Sequence, residues 1–159
     1  MTAMFATVIA VLGTLLGSLL TGRFQERSAD RTERETRRRN ERREQFEAIT
    51  GLAEAVSAHR SMMWRRGDAK FRGDLDRHQE LRIRSHETRA AVTAPLVALR
   101  LLIVDPELRA AADRMVDATF GMRHQDDDAA TLNDARVAAL AAHDAFVDVA
   151  ARYMQAQAA

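Results

Sequence analysis

Residues Met1 to Gly22 carry no charged side chain, and residues 23–44 are mostly Arg and Glu. That junction constrains the chain more than any other feature. A helix of about 20 apolar residues matches the roughly 30 Å hydrocarbon core of a bilayer. Two other readings of residues 1–22 fit less well. A cleaved secretory signal needs a basic leader, a short apolar core and a small-residue cleavage site. Here no basic side chain precedes the core, and Thr21-Gly22-Arg23 lacks the A-x-A pattern. A core helix of a soluble bundle would need a polar stripe facing water, yet residues 3–20 are apolar or small on every side. The sequence therefore predicts a transmembrane anchor over residues 1–22.

The flanks set its orientation. Arg23, Arg27, Arg31, Arg34, Arg37, Arg38, Arg39, Arg42 and Arg43 all follow the apolar segment, and none precedes it. Basic residues within about 15–20 positions of a membrane helix favour the cytoplasmic side. The expected location is the cell membrane, single-pass, with the C-terminal domain in the cytoplasm.

The remaining residues suit one small helical domain. There is no Cys, which excludes disulfides and thiolate metal sites, and the only Pro residues are Pro95 and Pro106. Few residues favour strands, so the expected class is all-α. A net charge of +1 conceals a polarity along the chain. Residues 23–100 hold 19 basic and 13 acidic side chains, a net of +6, whereas residues 101–159 hold 5 and 10, a net of −5.

Residues 23–45 have almost no large apolar side chain beyond Phe24 and cannot build a hydrophobic seam. They do offer acid-before-base pairs at i,i+4: Asp30–Arg34, Glu33–Arg37 and Glu35–Arg39. The reading is a solvated helical strut, roughly 33 Å long at 1.5 Å per residue.

From Phe46 the pattern changes, and residues 46–159 read as an antiparallel helical bundle. Phe46, Ile49, Ala53, Val56, Arg60 and Met63 recur at spacings of three and four, the signature of an amphipathic helix. A first break is expected at Arg65-Arg66-Gly67-Asp68. A second helix is expected from about Ala69 to Ile103, carrying Phe71, Leu75, Val92, Leu96, Leu99 and Ile103, with a kink at Pro95. Asp105-Pro106-Glu107 marks the start of a third helix, ending near Gly121, by an N-cap and a first-turn Pro. A fourth runs from about Thr131 to Gln155, with Leu132, Ala139, Phe146, Val147 and Ala150 on its apolar face.

No catalytic constellation stands out, and the chain reads as a non-enzyme without cofactor or metal. His59, His78, His86, His124 and His143 form no compact ligand spacing. The His124–Asp128 run is read as a solvated helix cap rather than a cation site. No Walker-type phosphate loop is present. Two candidate surfaces remain. Ala6, Ala10, Gly13 and Gly17 form a small-residue ridge, including a G-x-x-x-G, through which two anchors could pack. Arg37, Arg38, Arg39, Arg42 and Arg43 could face lipid or phosphate. Interleaved Glu35, Glu41 and Glu44 and the lack of an aromatic platform make nucleic acid the less favoured partner. The expected partners are the lipid bilayer, a second copy through the anchor and an unidentified cytoplasmic protein.

The stretch Val11-Leu12-Gly13-Thr14-Leu15-Leu16-Gly17-Ser18, with Phe24-Gln25 before the Arg/Glu run and the later Val104-Asp105-Pro106-Glu107-Leu108, resembles small single-pass actinomycete membrane proteins labelled KilB-like. That group is linked to plasmid transfer and spread, and no catalytic residues come with it. The topology is also similar to a b-type stalk subunit of rotary ATP synthases, but the distal turns and Pro depart from an uninterrupted stalk. Together these features lead to a non-enzymatic, membrane-tethered helical interaction or scaffold protein, accessory to plasmid transfer or envelope organisation. Two alternatives stay open. One is an accessory protein that binds DNA or an anionic membrane surface through the Arg strut. The other is a spanin-like lysis protein with its helices outside the membrane.

Overall fold

The computed structural model describes residues 2–124 and 128–157, with side chains from residue 32 onward. The protein is all-α. Its helices are α1 (Thr2–Phe71), α2 (Leu75–Ala91), α3 (Thr93–Leu102), α4 (Pro106–Gly121) and α5 (Ala129–Ala156), with a short 3-10 turn at Met122–His124. Two compact units divide the chain, Met1–Arg43 and Glu44–Ala159. Among the described residues no helix is long and apolar enough to cross a membrane. The anchor expected over Met1–Gly22, with Ala6, Ala10, Gly13 and Gly17, concerns side chains that lie outside the described residues.

Within the first unit, residues 32–41 are all exposed. Ion pairs one turn apart line the helix: Glu33–Arg37 and Glu35–Arg39 each close at 3.6 Å. Asp30, the partner expected for Arg34, has a side chain outside the described residues.

The second unit is an antiparallel bundle. From α1 to the α2–α3 arm, the Gln45 amide donates to the Leu102 carbonyl at 3.3 Å, His59 meets Thr88 at 2.9 Å, and His78 donates to the Arg66 carbonyl at 3.1 Å. Rising numbers on one element meet falling numbers on the other, so the two run in opposite directions. α5 also opposes α1, because Gly67 faces Leu132 while Arg136 lies over Trp64. Glu107 near the start of α4 pairs with Arg152 near the end of α5 at 2.9 Å.

Helix ends follow local chemistry. Gly73 takes a left-handed φ of +74°, which only Gly adopts without strain. Around it, the Gly73 N–H donates to the Lys70 carbonyl and the Asp74 N–H to the Ala69 carbonyl, the paired bonds of a Schellman cap. Asp74, Asp105 and Asp128 then cap α2, α4 and α5 through the N–H groups of Arg77, Leu108 and Thr131. Asp105-Pro106-Glu107 thus starts a helix where the sequence places it. The break expected at Arg65–Asp68 falls instead at residues 72–74. Gly67 stays helical and serves close packing, since a Cβ there would overlap the Leu132 side chain.

The single helix expected from Ala69 to Ile103 is three pieces. Pro95 cannot donate to the Ala91 carbonyl and its ring would clash there, so the kink becomes a turn at Val92 between α2 and α3. The break before Leu75 also resets the helical phase. Leu75 is consequently exposed, as is Phe71 at the end of α1, and Leu81, Ser85, Val92 and Leu99 face inward. Phe46 and Val147, both expected on core faces, are exposed as well.

One core cluster gathers Ile49, Leu52 and Val56 of α1 with Val92, Leu99, Ile103, Leu108, Met115, Phe146 and Ala150. A smaller one joins Met63, Met122, Leu132 and Ala139. On α1, buried positions run Ile49, Leu52, Val56, His59, Met63, a three–four alternation that sets His59 rather than Arg60 on the inner face.

Candidate functional site

His59 lies on α1 between the α1 residues of the two apolar clusters and is 3% exposed. The Thr88 hydroxyl donates to the Ser85 carbonyl at 3.2 Å. It therefore accepts from His59 Nδ1–H, at 2.9 Å, which fixes the proton on Nδ1 and leaves Nε2 as an acceptor. Phe120 meets the imidazole edge-on at 5.3 Å, and the Arg89 guanidinium covers the Phe120 ring at 3.8 Å. Burial, reinforced by the positive charges of Arg89 and Arg66, pushes the His59 pKa down to about 4. The ring is thus neutral at physiological pH and acts as a buried hydrogen-bonding strut between α1 and α2.

One turn further along α1, the chemistry becomes cationic. Arg60, Ser61, Trp64 and Arg65 of α1, with Arg136 and Leu140 of α5, line a cleft of about 210 Å³. The close approach at Gly67 holds α5 near α1 just beyond it. Arg136 is fixed over the Trp64 ring at 4.7 Å. Arg60 Nη2 donates to Ser57 Oγ at 3.2 Å, while its Nη1 is buried and makes no hydrogen bond among the described residues. Burial lowers the Arg60 pKa, the Asp144 carboxylate opposes that, and neighbouring Arg136 adds to it. Among the described residues no carboxylate lines the cleft.

A third feature is apolar. Val97 and Leu101, one turn apart on α3, are 50% and 78% exposed, and Val104 in the following turn is 79% exposed. Exposed apolar side chains mark interaction surfaces when they lie close together.

The sequence candidates lie elsewhere. Arg37, Arg38, Arg39 and Arg43 are exposed on α1 and Arg42 is partly so; Arg37 and Arg39 pair with Glu33 and Glu35. Asp128 of the His124–Asp128 loop caps α5 through the Thr131 N–H, which holds its carboxyl below the usual range. Asp126 and Asp127 lie outside the described residues. Among the described residues no group of three His, Asp or Glu is arranged to hold a metal. Sequence reading missed the cleft because Arg136 is 71 positions from Arg65 and only the α1–α5 pairing joins them. The spacing of His59 from Val56 and Met63 was the available signal for its burial.

Residues 46–154 match the family model described as KilB plasmid transfer protein. The chain is also 39% identical over 107 residues to Protein KilB of Streptomyces lividans, an alignment that covers 67% of this chain and 71% of that protein. No solved structure matches. The matched span contains His59, the arginine cleft and all of α2, α3 and α4. The chain belongs to the KilB family.

Proposed function

We propose that this chain is a non-enzymatic, membrane-tethered interaction protein that serves plasmid transfer. Membership of a family named for plasmid transfer carries the reading. The uncharged stretch Met1–Gly22, followed by nine Arg residues, supports a tether with the bundle on the cytoplasmic side. Ala6, Ala10, Gly13 and Gly17 would let two tethers pack together. The exposed Val97, Leu101 and Val104 offer a protein partner an apolar face.

The test is plasmid transfer frequency in cells lacking the protein. Transfer should fall, and the full chain should restore it, whereas a chain without residues 1–22 should not. Undiminished transfer without the protein would refute the role. Full rescue by the shortened chain would refute the tether. A reporter active only outside the membrane, fused to Ala159, should be silent; strong activity would favour the spanin-like topology.

A second reading rests on the exposure of Arg37, Arg38, Arg39 and Arg43. These could hold DNA or an anionic membrane surface. Binding that weakens steeply with salt and is lost on their replacement by Gln would support it.

A further inference from the structure

We infer that the cleft between α1 and α5 is a binding site for a phosphate monoester dianion, held by Arg60, Arg65 and Arg136. The inference concerns the bundle alone and does not depend on the tether or on the transfer role.

Charge selects the class of ligand. Three guanidinium groups line one small cleft, and among the described residues its lining contains no carboxylate. The acid coupled to it is Asp144, acting on Arg60 from one turn beyond Leu140. Three guanidinium groups in one small cleft favour a multiply charged anion over a single carboxylate. Guanidinium donors come as planar forks that match the spacing of phosphate oxygens.

The donors are also held ready. Arg60 is anchored by Ser57 through Nη2, and its buried Nη1 has no hydrogen-bond partner among the described residues. A buried N–H that makes no hydrogen bond is costly, and an acceptor oxygen entering the cleft would satisfy it. Arg136 is fixed by the Trp64 ring, so little side-chain freedom is lost when it takes an anion. Ser61 adds a hydroxyl at the rim. At about 210 Å³ the cleft is smaller than the ~300–1,000 Å³ of sites that enclose drug-sized ligands. It suits a phosphate head rather than a whole cofactor.

Trp64 is the single Trp of the chain, so its fluorescence reports on the cleft without labelling. The full-length protein is titrated with inorganic phosphate at constant ionic strength, with calorimetry in parallel. Saturable binding is expected, weakened on the order of tenfold by Arg60→Gln and by Arg65→Gln, partly restored by Arg60→Lys, and unchanged by Arg77→Gln, whose side chain pairs with Glu80 outside the cleft. Arg65 is exposed, so its variant keeps the test sound if Arg60→Gln fails to fold. A response that follows ionic strength alone, or one indifferent to Arg60 and Arg65, would overturn the site. Duplex DNA binding without phosphate binding would overturn it too. Short-chain phosphatidic acid distinguishes two sources of the same chemistry. Tighter binding than inorganic phosphate would assign a lipid headgroup, and equal binding a soluble phosphorylated molecule.

Discussion

Two stretches of the same helix, residues 32–43 and 44–71 of α1, have similar helix-forming composition and very different tertiary roles. Both are rich in helix formers. The first is covered by charge and held by i,i+4 pairs such as Glu33–Arg37, each worth a few tenths of a kcal/mol. The second buries Ile49, Leu52, Val56, His59 and Met63 against α2, α3, α4 and α5. Helix propensity is alike in the two; burial is not. The lesson is that helicity says little about where a protein stores its stability, and substitutions along α1 should grade accordingly.

The largest effect is expected at Leu52, which is fully buried in the main cluster. Leu52→Ala should cost about 3 kcal/mol, as other buried Leu truncations do, read by urea unfolding with Trp64 fluorescence. A cost below about 1 kcal/mol would mean that the cluster collapses around the vacancy.

Acidification should come next. The folded His59 titrates near 4 rather than its ordinary 6.5. Above pH 6.5 the ring is neutral in both states, and this contribution is complete. Between pH 6.5 and 4 the unfolded chain takes up a proton that the folded chain refuses, so stability falls, by at most about 3 kcal/mol for the full shift. His59→Gln should flatten the stability profile over that window. An unchanged slope would show that the decline comes from other groups.

Gly67→Ala should destabilise by about 1 kcal/mol. A Cβ would displace Leu132 in a packed cluster, and that overpacking outweighs the gain in helix propensity. A more stable variant would mean that the α1–α5 contact has slack, and the arginine cleft with it. The smallest effect belongs to the charged stretch. Glu33→Gln combined with Glu35→Gln should shift unfolding by less than about 0.5 kcal/mol. A larger loss would mean that residues 32–43 contribute to the cooperative unit, making the two stretches of α1 alike.

Much of this fold is legible in the sequence, for reasons that are local. Asp105-Pro106-Glu107 begins a helix because a side-chain cap and a pre-set φ act within one turn. The absence of Cys, the scarcity of Pro and the three–four spacing of apolar residues leave helices as the economical solution. The Arg-rich run after residue 22 is equally plain, and the side chains of Glu33, Arg37, Glu35 and Arg39 meet at the spacing their numbers imply.

Tertiary structure decided what local rules leave open. Gly67 and Gly73 are the same residue six positions apart, yet one continues a helix and the other ends it. The difference is Leu132, which needs the space at Gly67, and the left-handed φ that residue 73 must adopt. Leu75 lost its place in the core because the turn before it reset the helical phase. His59 became a neutral strut only when Thr88 and Phe120 closed around it. The arginine cleft exists because α5 folds back along α1 and carries Arg136 to Trp64. Sequence determines helices through interactions a few residues long. Sites made by side chains from distant positions depend on how those helices pack, and that is settled by the shape and volume of the whole core.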